Sequence, residues 1–162
     1  MNTTMSGSST TETEDRLAII ELINRVAMAL DAKDWNGLGQ LFTETVHTDR
    51  TSLAGGEPET LAVADFVAGW RGTLENLDAV NHLLTGHVVE LDGDEATCAN
   101  NMQGTHVFAN DSVGPIWTVG GRHDWGLKRT PDGWRIARHK FTIQWATGDQ
   151  QVLALAAAAG QS

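Results

Sequence analysis

The sequence predicts an α+β domain in which helices come first and an antiparallel sheet follows. Three observations carry that prediction. Apolar residues recur at helical spacing through the first half, they alternate with polar ones through the second, and the two patterns do not interleave. A doubly wound parallel sheet would alternate strand with helix along the chain, and no such internal repeat is present.

The first helix follows from Leu17, Ile20, Ile23, Ala27 and Leu30, which recur three and four apart and predict a helix over about residues 13–32. Residues 1–12 are rich in Ser, Thr and Gly and read as a flexible tail. Asp34-Trp35-Asn36 supplies a cap for a second, short helix carrying Leu38, Leu41 and Phe42. After the loop Gly55-Gly56-Glu57-Pro58, a third helix is predicted over 61–77 through Val63, Phe66, Val67, Trp70 and Leu74. Beyond Asp78 four strands are expected, over 82–91, 96–110, 116–129 and 134–147. Asp92-Gly93-Asp94 and Pro131-Asp132-Gly133 mark two of their turns, because Asp-Gly supplies the positive φ that tight hairpins need. The domain therefore spans 13–150, with an Ala-rich segment over 151–162 that is a candidate docking helix.

Composition excludes several classes of function. A chain of 162 residues suits one domain with its own core. A net charge of −10 with 11 Lys and Arg argues against a nucleic-acid partner, since phosphate binding needs a positive surface. The single cysteine, Cys98, rules out an intramolecular disulfide and a thiolate zinc site, and fits a reducing cytoplasm. No basic residue precedes Arg16 and no apolar run opens the chain, so neither a secretory signal nor a membrane span is expected. A Gly-x-Ser-x-Gly elbow, a phosphate loop, a Gly-x-Gly-x-x-Gly turn and a helical His-x-x-x-His are all lacking. Serine hydrolases, nucleotide enzymes and metal sites fall behind, and no cofactor is expected.

Asp31 is the most informative residue. At 100° per residue it lies about 20° around the first helix from Ile20, within the apolar arc. A carboxylate placed there needs a partner or a wet cavity, unless it simply ends the helix in a solvated turn. Among six histidines, His82 opens a strand after a helical segment, and His106 shares an alternating face with Met102 and Phe108. Each reads either as a structural hydrogen-bonding ring or as a catalyst. A carboxylate bonded to one imidazole nitrogen fixes the tautomer and makes the other nitrogen a better base, so Asp31 would orient and His82 would take a proton. His123 shares a strand face with Trp125 and Leu127. His47, His87 and His139 read as surface or structural. Trp70, Trp125 and Trp145 would wall a pocket for a flat, apolar ligand.

Several runs then carry a resemblance: Ala29-Leu30-Asp31-Ala32-Lys33-Asp34-Trp35, Leu41-Phe42-Thr43, Asn81-His82, Gly120-Gly121-Arg122-His123-Asp124 and Arg129-Thr130-Pro131-Asp132-Gly133-Trp134-Arg135-Ile136. In order and spacing the chain, over about residues 13–150, resembles the SnoaL-like branch of the nuclear transport factor 2-like superfamily. The resemblance implies a cone-like barrel, in which N-terminal helices pack on a strongly curved, mainly antiparallel sheet that encloses a pocket. It implies a cofactor-free acid/base enzyme: a dehydratase, dehydrohalogenase, isomerase or polyketide cyclase. Asp31, His82 and His106 match the family's catalytic positions, and Phe42, Trp70, Met102, Phe108, His123, Trp125 and Trp145 would contact substrate. The partner so implied is a small apolar or aromatic substrate, and exposed apolar sheet surface on the side opposite the pocket would predict a homodimer or homotrimer. The chain has no tyrosine, which separates it from relatives that polarise a carbonyl with one. Two other functions share the fold: a non-catalytic hydrophobic-ligand or assembly module, and the β-subunit of an aromatic-ring dioxygenase.

Overall fold

The computed structural model describes residues 6–160. Helix α1 runs Ser6–Asp31, α2 Trp35–Gln40, α3 Thr51–Ala54, α4 Val63–Leu74 and α5 Gln151–Ala159. The strands are β1 Phe42–Asp49, β2 Glu59–Ala62, β3 Ala79–Asp92, β4 Glu95–Val107, β5 Ile116–Thr130 and β6 Gly133–Gly148.

The buried stripe of α1 is Ile19, Ile23, Val26 and Leu30, spaced four, three and four. Leu17, expected on that stripe, is 62% exposed. The arc is turned by one residue, which puts Ile20 and Asp31 at its half-buried flank. The helix also starts earlier than residue 13. Extending an anchored helix costs little per residue, and polar residues 6–12 carry no apolar period to announce it. Its C-terminus is abrupt: Lys33 takes φ 54, and the Asp34 N–H donates back to the Ala29 carbonyl at 2.8 Å. Asp34 then caps α2 by accepting from the Gly37 N–H at 2.9 Å.

The sequence pattern does not announce β1 and β2, and it assigns Phe42 and Leu61 to helices. Phe42 and Val46 are the only apolar residues of β1 to face the core, and they continue the helical spacing of Leu38 and Leu41, which hides the strand. The four expected strands form β3 to β6. With β1 and β2 they make a six-stranded sheet in the order β2-β1-β6-β5-β4-β3, antiparallel except where β1 runs parallel to β6. β2 and β3 remain separate edges, so the sheet is strongly curved but open, and the barrel expected from the resemblance is not closed. Bulges bend it: one at Gly86 in β3, where φ is 67, and others where β5 and β6 slip register after Gly120 and Gly126.

α1 lies across β3, and the main core fills the concave face with Leu38, Phe42, Phe66, Leu74, Trp125, Leu127 and Ile136. A second cluster of Met102, Trp117, Val119, Phe141 and Val152 closes the other end. Val152 and Ala156 of α5 are fully buried against α4 and the sheet of the same chain, so the Ala-rich helix docks on its own domain. No described helix is long and apolar enough to cross a membrane.

Candidate active site

Asp31 ends α1, and His82 stands on β3, the strand that α1 crosses. The end of α1 is pinned there, because Lys33 Nζ donates to the carbonyls of Glu75 and Leu77, both at 2.8 Å, and so ties the approach to β3 to the helix terminus. Asp31 accepts four contacts. The His82 backbone N–H reaches Oδ1 at 3.1 Å and Oδ2 at 3.0 Å, Asn81 Nδ2 reaches Oδ2 at 3.1 Å, and His82 Nδ1 lies 2.7 Å from Oδ1. The imidazole is 6% exposed and the carboxylate 20%. Nδ1–H therefore points at the carboxylate, which leaves the lone pair of Nε2 on the other edge of the ring.

The His82 side chain borders a cavity on the concave side of the sheet. Val26, Ala27 and Leu30 of α1, Phe42 of β1, Phe66 and Trp70 of α4, and Leu84 of β3 line it together with Met102, His123, Trp125 and His139. Its walls are nearly all apolar, and they leave about 20 Å³, room for one water molecule. Larger hollows of about 590 and 750 Å³ lie on the outer face of the sheet among charged side chains such as Arg138 and Lys140. The cavity is the more informative site, because only there does a carboxylate-oriented imidazole face an apolar space.

Of the residues singled out from sequence, the structure brings His82, Phe42, Trp70, Met102, His123 and Trp125 to this one cavity, with Asp31 behind His82. His106 stands beside the cavity rather than in it. Its ring meets that of His82 edge-on at 5.7 Å and lies against Trp117 at 5.1 Å, and its buried Nδ1 has no hydrogen-bond partner among the described residues. Burial and then the neighbouring His82 push the His106 pKa down to about 4, so the ring is neutral at pH 7. Phe108 packs between the two core clusters. Trp145 is on the outer face, 47% exposed and stacked over Gly120, where an added Cβ would lie 2.1 Å from the indole. The bulge between Gly120 and Gly121 reverses the parity of β6 there, and this takes Trp145 off the pocket side.

His139 is the cavity residue that the sequence reading set aside. Alternation counted from Trp134 and Ile136 points His139 outward. The register slip opposite Gly126/Leu127 skips Ala137 and turns His139 and Phe141 inward. His139 Nε2 lies 3.0 Å from His123 Nδ1, and the rings sit 4.9 Å apart. Burial, with the nearby Arg50 charge second, pushes the His139 pKa down to about 3. Burial, then His139 and His82, holds His123 well below the usual histidine range, against the pull of the Lys140 carbonyl. Among the described residues no three His, Cys, Asp or Glu side chains are arranged to hold a metal ion.

Helices laid over a curved, open, six-stranded mixed sheet are the fold shared with a Novosphingobium aromaticivorans structure described as nuclear transport factor 2-like with a cystatin-like fold. Within it, residues 11–140 match the SnoaL-like domain, and the chain belongs to that family. An uncharacterized protein of Mycobacterium tuberculosis is 31% identical over 138 residues, covering 83% of this chain and 88% of its own. The crystal structure of the Kribbella flavida protein Kfla4162 superposes with a TM-score of 0.82 at 30% identity, covering 91% of this chain and 99% of that one. Two more distant structures share the fold alone. A candidate scytalone dehydratase of Novosphingobium aromaticivorans has a TM-score of 0.77 at 14% identity, with 88% and 92% covered. The hexachlorocyclohexane dehydrochlorinase LinA has a TM-score of 0.71 at 11% identity, with 87% and 93% covered.

Proposed function

We propose that the protein is a cofactor-free acid/base enzyme in which His82 Nε2 removes a proton from carbon of a small, largely apolar substrate, with loss or relocation of a leaving group. The observation that carries this reading is the Asp31–His82 contact. A carboxylate engaged through both oxygens holds Nδ1–H at 2.7 Å and frees Nε2 at the edge of an apolar space. As the proton moves to Nε2 the ring becomes an imidazolium, and Asp31 stabilises that charge where it forms. The apolar walls contributed by Phe42, Trp70 and Trp125 exclude water and align the C–H bond. The likeness in fold to proteins named as a dehydratase and a dehydrochlorinase supports elimination as the reaction type. His106, neutral and edge-on to His82, is placed to keep that ring in position.

A panel of cyclic β-hydroxy ketones, enones and halogenated cyclohexanes, incubated with the protein in D2O and read by mass spectrometry, tests the proposal. One class is expected to eliminate or exchange, and His82→Ala is expected to slow it by roughly 10²–10⁴-fold. A folded His82→Ala protein that turns over the same compound at the wild-type rate overturns the reading. Tight binding with no chemistry would instead favour a ligand-carrying module.

A further inference from the structure

The mechanism above leaves several buried polar side chains unused, among them His139 and Thr48. His139 is enclosed by aromatic rings, with Trp125 at 4.8 Å, Phe66 at 6.1 Å and Trp70 at 6.2 Å. Its two nitrogens are both engaged. Nε2 meets His123 Nδ1 at 3.0 Å, and Nδ1 meets Thr48 Oγ1 at 3.3 Å. Thr48 is 3% exposed. Three neighbouring strands, β1, β6 and β5, thus supply a line of three hydrogen-bonding groups that ends at His123, on the wall of the cavity that His82 also borders.

Each contact in the line holds one proton, so two neutral arrangements exist. In the first, the Thr48 hydroxyl donates to His139 Nδ1, His139 Nε2–H donates to His123 Nδ1, and His123 carries its remaining proton on Nε2. In the second every donor is reversed: His123 Nδ1–H donates to His139, His139 Nδ1–H donates to Thr48, and His123 Nε2 has a lone pair. The Thr48 hydroxyl separates them. Its contact with His139 is the one hydrogen bond it makes among the described residues. In the reversed line its own proton would be buried with no acceptor, which is costly. The Lys140 carbonyl is a further acceptor beside the His123 ring, and it does not relieve the orphaned hydroxyl of the reversed line.

We propose that Thr48 and His139 are positioning residues that lock His123 as its neutral Nε2–H tautomer, so that His123 presents a hydrogen-bond donor to the cavity. Resting on the reading of His82 as base, this donor stabilises negative charge that develops on the substrate as the C–H electron pair moves away from the reacting carbon. No proton leaves His123. The substrate proton goes to His82 Nε2, and the His123 N–H supplies only a hydrogen bond from a dry, preformed position. In a chain without tyrosine, this places a neutral imidazole N–H donor on the cavity wall.

The full-length protein labelled with ¹⁵N-histidine reports the tautomers directly by NMR at neutral pH. The expected result is a proton on Nε2 of both His123 and His139 in the wild type and in Thr48→Ser, which keeps the hydroxyl. The isosteric Thr48→Val is expected to raise the Nδ1–H population of His123, and with a substrate in hand to lower kcat about tenfold with little change in KM. A wild-type His123 protonated on Nδ1 overturns the proposal, as does a folded Thr48→Val whose histidine tautomers are unchanged. The wild-type spectrum decides the matter even where Thr48→Val does not fold. The spectrum does not depend on His82: if His82→Ala leaves turnover intact, the base assignment falls while the tautomer result stands.

Discussion

Asp31→Asn is the sharpest perturbation of the site, because all four contacts of Asp31 come from donors: the His82 backbone N–H twice, the His82 ring and the Asn81 amide. An asparagine replaces one acceptor oxygen with an NH2 group, so in either orientation a donor now meets a donor. If the NH2 turns to His82 Nδ1, the ring must shift its proton to Nε2 and no lone pair is left for the substrate. The same carboxylate-to-amide change in the serine-protease triad, a documented case of a wrong tautomer, lowers kcat by about 10⁴. If instead the oxygen stays on Nδ1, Asn81 can rotate to accept from the new NH2, and the loss is that of a charge-assisted bond becoming neutral. That difference is about 1–2 kcal/mol, or roughly 5- to 30-fold in rate. The expected fall in kcat is therefore at least about fivefold and at most about 10⁴-fold, measured on the substrate that the D2O panel identifies. Thermal unfolding monitored on the same sample guards against a trivial loss of fold. A folded Asp31→Asn enzyme within twofold of wild type refutes the orienting role.

Other consequences are open to measurement. His106 takes up its proton only near pH 4 when folded but near 6.5 when unfolded. Between those values the unfolded chain binds the extra proton, so stability falls as pH falls, by about 1.4 kcal/mol per unit and about 3 kcal/mol by pH 4 from this residue alone. His139 and His123 act in the same direction. The melting temperature should drop steadily from about pH 6.5 downward, and His106→Leu should reduce that slope; a flat profile to pH 4.5 contradicts the neutral, buried assignments. Lys33→Ala keeps the strained φ and loses both bonds to the Glu75 and Leu77 carbonyls, whereas Lys33→Gly loses the bonds but relieves the backbone. Lys33→Gly should therefore be the more stable variant by up to about 1 kcal/mol in urea unfolding, and the reverse order would rule out strain at this turn. Trp145→Ala, on the outer face, should leave kcat/KM within about twofold, while Trp70→Ala, on the cavity wall, should lower it about tenfold or more; equal effects would place the binding site elsewhere.

The parts of the fold legible in the sequence are those where one residue's neighbours along the chain decide its place. The period of α1, the Asp34 cap and the glycine turns at 93 and 133 are of this kind. Helix geometry also puts Asp31 on the inward side of α1, although the arc is turned by one residue and Asp31 lies on its flank. β1 was hidden because Phe42 and Val46 satisfy both a helical and a strand spacing, and what selects the strand is pairing with β6, almost a hundred residues away. The inward turn of His139 and the outward turn of Trp145 are hidden for a related reason. Strand parity is readable only while the register is unbroken, and the slips near Gly126 and Gly120 exchange the two faces twice along β6. A bulge is set by the partner strand, so β6 alone carries no mark of it.

These slips also explain how the site combines rigid polar groups with a closed apolar space. His82, His123 and His139 stand on strands whose ladders fix each backbone from both sides or, for β3, from β4 and the crossing helix. The polar atoms are thereby held at hydrogen-bond distance from their partners without any ligand, as a preorganised site requires. Phe66 and Trp70, in contrast, stand on α4, a twelve-residue helix held by side-chain packing rather than by a ladder. With about 20 Å³ free, a substrate can enter only by displacing wall residues, and displacing strand-borne groups would break backbone hydrogen bonds as well as packing. The lower-cost movement is on α4, whose wall residues Phe66 and Trp70 are held by side-chain contacts and not by a strand ladder. The division of labour follows: the sheet keeps the proton-handling atoms in place, and the helices supply the surface that yields to the shape of the ligand.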